Sequence, residues 1–413
     1  MWKTVKWSIA GLAVALIIVM AGVTGYAIGD NGPASDVTAR PSQGSTGFGV
    51  LDEISRILQT DFVNPAALDP KVQRRGAIDG LIASLGDPHT TYISPDDYGL
   101  GVDIISGAFQ GIGAQVDKDP ATGEIVILAP FRNSPAEKVG ILPGDVLVSV
   151  DGDSAKGWTV QQAVQRIRGP EGSQVKISVR RTAGTDVQEK EFTITRATIQ
   201  IPTVFPAEIK GKDGNSVSDL AYVEIQQFTD QTVDDLKREL RRIEDGGYKG
   251  LILDLRRNPG GGLDATVSVA DMFINDGLIL TQIDRDGKET VYNATPGGEF
   301  LDLPVVVLVG PGSASGSEVL SAALRDHGRA TLIGEKTFGK GSVNHLRELS
   351  DGGALYVTIA RWRTPKGELI EGVGLQPDVP ISPTTEDIDA HRDVQLFAAI
   401  DLLRHGGTQT QAQ

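Results

Sequence analysis

A strand–helix rhythm in the second half of the chain restricts its fold more than any other feature. The apolar runs LAYVEIQQF (from Leu220), GLILDLR (from Gly250), LPVVVLVG (from Leu303), ATLIGE (from Ala330) and LYVTIA (from Leu355) carry few charges and read as buried strands. TVDDLKRELRRIEDG, from Thr232, and LDATVSVADMFI, from Leu263, have helical spacing and separate several of them. Parallel neighbours need a crossover long enough to hold a helix, so this alternation predicts an α/β core around a largely parallel sheet.

Upstream the texture changes. Between Val102 and Thr198 short strand-like runs (QGIGAQV, EIVILAPF, DVLVSVDG, QVKISVRR, KEFTITR) surround one amphipathic helix after Trp158. Consecutive amides at the turn Gly111-Ile112-Gly113-Ala114 can form an anion-binding nest, although Gly-Ile-Gly alone would equally mark a bulge. With GILPGDVLVSVDG downstream and a helix over Val160–Arg168, the segment resembles a PDZ domain. That resemblance implies a groove in which Gly111, Ile112, Gly113 and Ala114 hold the terminal carboxylate of a peptide added as a strand. Ile112 and Ala114 would favour a small or hydrophobic last residue, and Arg168 closes the groove helix.

Ahead of this module, Val50, Leu51, Ile54, Ile57, Leu58 and Phe62, then Ile78, Leu81, Ile82 and Leu85, recur at helical spacing. They predict a small helical module that would serve as a pairing surface in a homo-oligomer. Asp30–Gly47 has no apolar pattern and reads as a tether. Trp7–Gly29 is uncharged and, as a helix, would span about 34 Å, enough to cross a bilayer. Lys3 and Lys6 before it favour a cytoplasmic N-terminus, which places the remainder outside the cell membrane on a single-pass anchor. The alternative is a secreted protein released by cleavage of a signal peptide, but no clean small-x-small site is visible.

A net charge of -15 without a basic stripe speaks against a nucleic-acid partner. The absence of cysteine excludes thiolate chemistry and disulfides. No spacing suggests a metal site, and no cofactor is expected.

The remaining chemistry lies in GSASGSEVLSAAL and TFGKGS. Ser313, Ser315 and Ser317 crowd a small-residue turn before a helix, and Ser315 with Glu318 also fits a capping box. A serine hydroxyl needs a proton acceptor. Lys340, Lys336, His89, His327 and His345 are the candidates, and a lysine serves only if burial lowers its pKa. NPGGG, at the end of the strand GLILDLR, offers amides that could approach an oxyanion.

Taken in order, DPHTTY, DLRRNPGGGLDATVSVADMFI, GSASGSEVLSAAL, TFGKGSV and EGVGLQPDV resemble the carboxyl-terminal processing peptidases, or tail-specific serine proteases. The resemblance runs from about Val50 to Pro380. It implies a crotonase/ClpP-like α/β protease core with an inserted PDZ domain, acting on polypeptides. It further implies Ser315 as nucleophile, Lys340 as base, and oxyanion donors from Gly260 or Gly261 and from Gly316. Two positions depart from the family pattern. Gly316 stands where alanine is usual. Asn344 stands where a glutamine orients the lysine, and its amide would fall short by roughly 1.3 Å.

The predicted organisation is an anchor or signal at 1–29, a linker at 30–47 and the helical module at 48–100. The PDZ domain at 101–198, the protease core at 199–385 and a C-terminal helix and tail at 386–413 complete it. A catalytically silent PDZ scaffold is the alternative reading, and a hydrolase using one of the three histidines is another.

Overall fold

The computed structural model describes residues 48–95, 97–98, 108–131, 133–183 and 186–406. The expected anchor, tether and C-terminal tail beyond 406 lie outside the described residues. Among the described residues no helix is long and apolar enough to cross a membrane.

Helices α1 (Gly49–Asp61) and α2 (Pro70–Ala83) form where the apolar spacing predicts them. Asp69 caps α2 by accepting from the Lys71 and Val72 amides, with Pro70 at the first helical position. Neither helix buries a residue, so the stripe containing Leu51, Ile54 and Ile57 stays exposed. Strand β1 (Thr91–Ile93) follows.

The β-rich module comprises β2 (Ala108–Gly111), β3 (Ala114–Lys118), β4 (Ile125–Pro130), α3 (Pro135–Lys138), β5 (Val146–Val150) and β6 (Asp153–Ser154). It continues with α4 (Val160–Ile167), β7 (Gln174–Ala183), β8 (Asp186–Thr195) and β9 (Ala197–Gln200). Strands β3-β4-β5-β7-β8 form one sheet, and β2 pairs with β9, so the entry and exit of the module are tied together. A capping box of Thr159 and Gln162 starts α4. Its Ala163 and Ile167 pack with Ile112, Ile127, Ile177 and Ile194 in a core separate from the rest.

The larger unit begins with β10 (Val204–Pro206), β11 (Ile209–Lys210), β12 (Ser216–Val217), β13 (Ala221–Ile225), α5 (Asp230–Asp245), β14 (Leu251–Asp254) and α6 (Leu263–Phe273). Next come β15 (Gly277–Asp284), β16 (Glu289–Ala294), β17 (Val305–Val309), α7 (Gly316–Asp326) and β18 (Ala330–Gly334). The chain then adds β19 (Ser342–Glu348), β20 (Ala354–Arg363), β21 (Val379–Pro380), α8 (Thr385–Asp389) and α9 (Val394–His405). The central sheet runs β10-β13-β14-β17-β18-β21 and is parallel except for β10 at its edge.

Alternation along the strands sends side chains to two cores. Val223, Leu253, Val305 and Val307 pack with Leu236, Val269 and Leu320 of α5, α6 and α7. Ile252, Val306, Leu308 and Ile333 face the other way, onto Ala399 and Ile400 of α9. The sheet is thereby covered by helices on both faces, as a parallel sheet requires.

One run departs from the expected arrangement. LYVTIA lies in β20, which pairs antiparallel with β1, β15 and β19 in a second sheet rather than joining the parallel one. Its residues alternate between buried and partly exposed, the pattern of a sheet with one wetter face.

Candidate active site

The turn from β17 to α7 places the three serines differently. Ser313 Oγ donates to the Leu255 carbonyl (2.8 Å) and accepts from the Gly310 amide (3.0 Å). Ser317 Oγ donates to the Asn258 carbonyl at 2.7 Å. Both residues are fully buried. Ser315 is 9% exposed, and its side chain shares a capping box with Glu318 at the start of α7. Its backbone (φ 50°, ψ -114°) is one that L-residues rarely adopt. Holding it costs on the order of 1–3 kcal/mol, which the surrounding packing must supply. A strained strand-to-helix turn of this kind lifts a serine hydroxyl off the sheet.

Glu318, three residues on, organises the site. Its Oε2 accepts from the Ser315 amide at 2.9 Å and from the Lys340 amide at 2.9 Å. Its Oε1 accepts from the Gly339 amide (2.7 Å) and the Thr337 hydroxyl (2.5 Å). A single oxygen therefore holds the amides of Ser315 and Lys340 within twice a hydrogen-bond length of each other. Burial pushes the Glu318 carboxyl above its ordinary range, and the four donors pull it back. The sequence shows Glu318 only as the partner in a capping box. Its reach to 337–340 needs the fold.

Lys340 sits in the loop between β18 and β19. A bond from the Phe338 amide to the Ser313 carbonyl (3.0 Å) also fastens this loop to the serine turn. The lysine is 3% exposed, and its amine lies 5.4 Å from the centre of the Tyr356 ring. Burial pushes its pKa down to about 8, against the opposing charges of Glu371, Asp87 and Glu318. Lys336, the rival, is exposed. Such an amine is partly neutral near pH 7 and can accept a proton.

The glycine turn after β14 meets the serine turn directly. A Cβ at Gly260 (φ 110°) would lie 2.9 Å from the Ala314 carbonyl, the Gly316 amide and Ser315 Cβ. One at Gly261 (φ 151°) would strike the Phe228 carbonyl at 2.1 Å. Only glycine permits this approach. The Gly260 amide is already used, donating to Asn258 Oδ1 at 2.8 Å. No acceptor among the described residues takes the amides of Gly261 or Gly316.

The Asn344 expectation requires correction. Its Nδ2 donates to the His89 carbonyl (3.0 Å) and the Thr358 hydroxyl (3.0 Å), and its Oδ1 accepts from Ser342 (3.2 Å). The carboxamide thus joins β19 to β20 and to the segment before β1, and it is not bonded to the lysine amine. The shorter side chain has found nearer partners.

The histidines are engaged elsewhere. His89 bonds Glu371 at 3.0 Å, exposed His327 bonds the Leu278 carbonyl at 2.8 Å, and burial depresses the pKa of His345.

In the β-rich module the turn 111–114 links β2 to β3. Ile112 is 2% exposed and packs into the module core, and its carbonyl accepts from the Ala136 amide. A Cβ at Gly113 (φ 75°) would come 2.5 Å from Ser134 Cβ, which accounts for that glycine. Ala114 is only partly buried. The Arg168 guanidinium lies over the Phe109 ring at 5.1 Å, at the mouth of this turn.

Comparisons with known proteins agree with the residue pattern. The family model "Peptidase family S41" matches residues 219–381, and a PDZ domain model matches 126–181. The chain is 37% identical to a carboxyl-terminal-processing protease of Synechocystis sp. over 333 residues, 80% of this chain and 77% of that protein. It is also 37% identical to the carboxy-terminal processing protease CtpA of Bacillus subtilis over 339 residues, 82% and 70% of the two chains. Among solved structures, the photosystem II D1 C-terminal processing protease aligns with a TM-score of 0.46 at 28% identity, covering 85% of this chain and 98% of that one.

Proposed function

We infer a serine–lysine mechanism from the premise that this chain belongs to peptidase family S41: it is a serine protease of the carboxyl-terminal processing type and carries a PDZ domain. Ser315 is the nucleophile and Lys340 the general base. The observation that carries this reading is the single Glu318 oxygen bonded to both backbones, which holds the loops of a strained serine and a buried lysine side by side.

The chemistry follows in order. With a pKa of about 8, roughly a tenth of the amine is neutral at pH 7. It takes the Ser315 proton as Oγ attacks the scissile carbonyl, and the oxyanion is received by the amides of Gly316 and Gly261. Gly260 supplies the close approach rather than a donor, since its amide serves Asn258. The protonated lysine returns its proton to the leaving amine. A water then enters, loses a proton to the same lysine and hydrolyses the acyl-enzyme.

The groove between β3 and α4 receives the substrate's C-terminus, with the 111–114 amides on its carboxylate and Arg168 beside them. The uncharged segment Trp7–Gly29 anchors the enzyme in the cell membrane with the catalytic part outside, or is cleaved to release a secreted form.

The test is cleavage of a peptide with a free hydrophobic C-terminus, followed by mass spectrometry. Ser315→Ala and Lys340→Ala should each lose roughly a thousandfold or more in rate while keeping native circular dichroism, and Lys336→Ala should remain active. Wild-type turnover by Lys340→Ala would overturn the assignment of the base.

A further inference from the structure

We infer that the segment Asp87–Thr90, which leads from α2 into β1, is a positioning strap for Lys340: it forms part of the wall around the amine and fixes where that side chain can lie. This rests on Lys340 being the base.

Besides the bonds within it, three contacts hold the segment to residues around the lysine. The His89 carbonyl accepts from Asn344 Nδ2 at 3.0 Å. The Thr90 hydroxyl donates to Asp87 (2.6 Å) and accepts from the Thr358 amide (3.1 Å), and the same Thr358 takes the second Asn344 bond. The His89 ring bonds Glu371 Oε1 at 3.0 Å, and the other Glu371 oxygen meets Arg361 at 3.0 Å. Strand β1 then continues along β20 with Thr91 opposite Tyr356, the residue whose ring faces the amine. Thr90 and Asn344 are 6% and 1% exposed. Buried polar groups paired this completely tolerate little shift in register.

Among the described residues, the charges facing the amine come from three places. Glu318 is on α7, Glu371 follows β20 with His89 and Arg361 behind it, and Asp87 is on the strap. Among the described residues only Asp87 comes from outside the protease unit, delivered by a segment that precedes the PDZ module in sequence. A connecting loop would not need to place a carboxylate there. Arg75 of α2 lies over the Tyr92 ring at 5.3 Å, so the helical module touches β1, the strand that the strap leads into.

A purely structural strap and a positioning strap differ in one readout. Removing a negative charge near an ammonium favours its neutral form. Asp87→Asn should therefore move the acid limb of the kcat/KM profile to lower pH, by on the order of half a unit. Thr90→Val should lower kcat about tenfold per active site with KM little changed, and Thr90→Ser should restore it. Active sites are counted by fluorophosphonate labelling, so loss of folded enzyme is separated from loss of rate. An Asp87→Asn profile superimposable on wild type, or unchanged kcat per labelled site in Thr90→Val, would overturn the inference. If Lys340→Ala keeps the wild-type acid limb, the lysine mechanism itself has failed, which is a distinguishable result.

Discussion

A methyl group at position 316 would lie 2.5 Å from the Thr266 hydroxyl and 3.1 Å from the Phe228 ring. Thr266 is fully buried and fixed by a 2.8 Å bond to the Gly262 carbonyl, so it cannot swing away without losing that bond. Glycine at 316 is therefore matched to threonine at 266, and replacing it with the family's alanine should displace an oxyanion donor. Gly316→Ala is expected to lower kcat by on the order of tenfold to a hundredfold, and Gly316→Ala with Thr266→Ala should recover part of it. Steady-state kinetics on the single and double variants decide this. Equal losses in both would show that Thr266 is not the obstacle. Asn344 teaches a related lesson. Its type, one methylene short of glutamine, predicts a gain in Asn344→Gln. The structure reverses that sign, because the side chain is 1% exposed with both amide ends bonded. The added methylene should cost about 1–3 kcal/mol in stability and lower the rate, as thermal denaturation and turnover would show. Ser315, Lys340 and the glycines were legible as motifs, whereas the partners of Glu318 and Asn344 were not. A contact between residues 19 to 255 positions apart leaves no local spacing to read.

At the scale of elements, the strand-to-helix turns do the positioning. The β14–α6 and β17–α7 turns lie side by side because β14 and β17 are parallel neighbours, with Leu251 opposite Val305. That register carries NPGGG onto the serine turn. The alternation of buried strands and helices made this layer readable. The second sheet was less so, since LYVTIA in β20 shares the apolar texture of the parallel strands and only its antiparallel pairing with β19 and β15 sets it apart. The PDZ module supplies the element-scale prediction. If the 111–114 amides hold a terminal carboxylate, a substrate with a free hydrophobic C-terminus should be cut several-fold faster than its amidated twin. The comparison is a concentration series of both peptides. Equal kcat/KM for the two would remove the groove from substrate recognition.

For the whole molecule, the proposed dyad is a product of assembly. Lys340 lies 25 residues beyond Ser315 in sequence, and their backbones come together where Glu318 bonds both loops. Burial in this assembly lowers the lysine pKa to about 8, so the neutral amine gains population as pH rises through that value. The same burial disfavours the folded state most at low pH, because the unfolded lysine stays protonated between about 8 and 10.5 while the folded one does not. Catalytic competence and folding are thus tied to one desolvated amine. The most direct measurement is the rate of fluorophosphonate labelling against pH, with the labelled residue mapped by mass spectrometry, in wild type and Lys340→Ala. Labelling confined to Ser315, rising through about pH 8 and lost in Lys340→Ala, is the expected result. Label on another serine, or a rate at Ser315 that survives the loss of Lys340, would contradict the serine–lysine assignment.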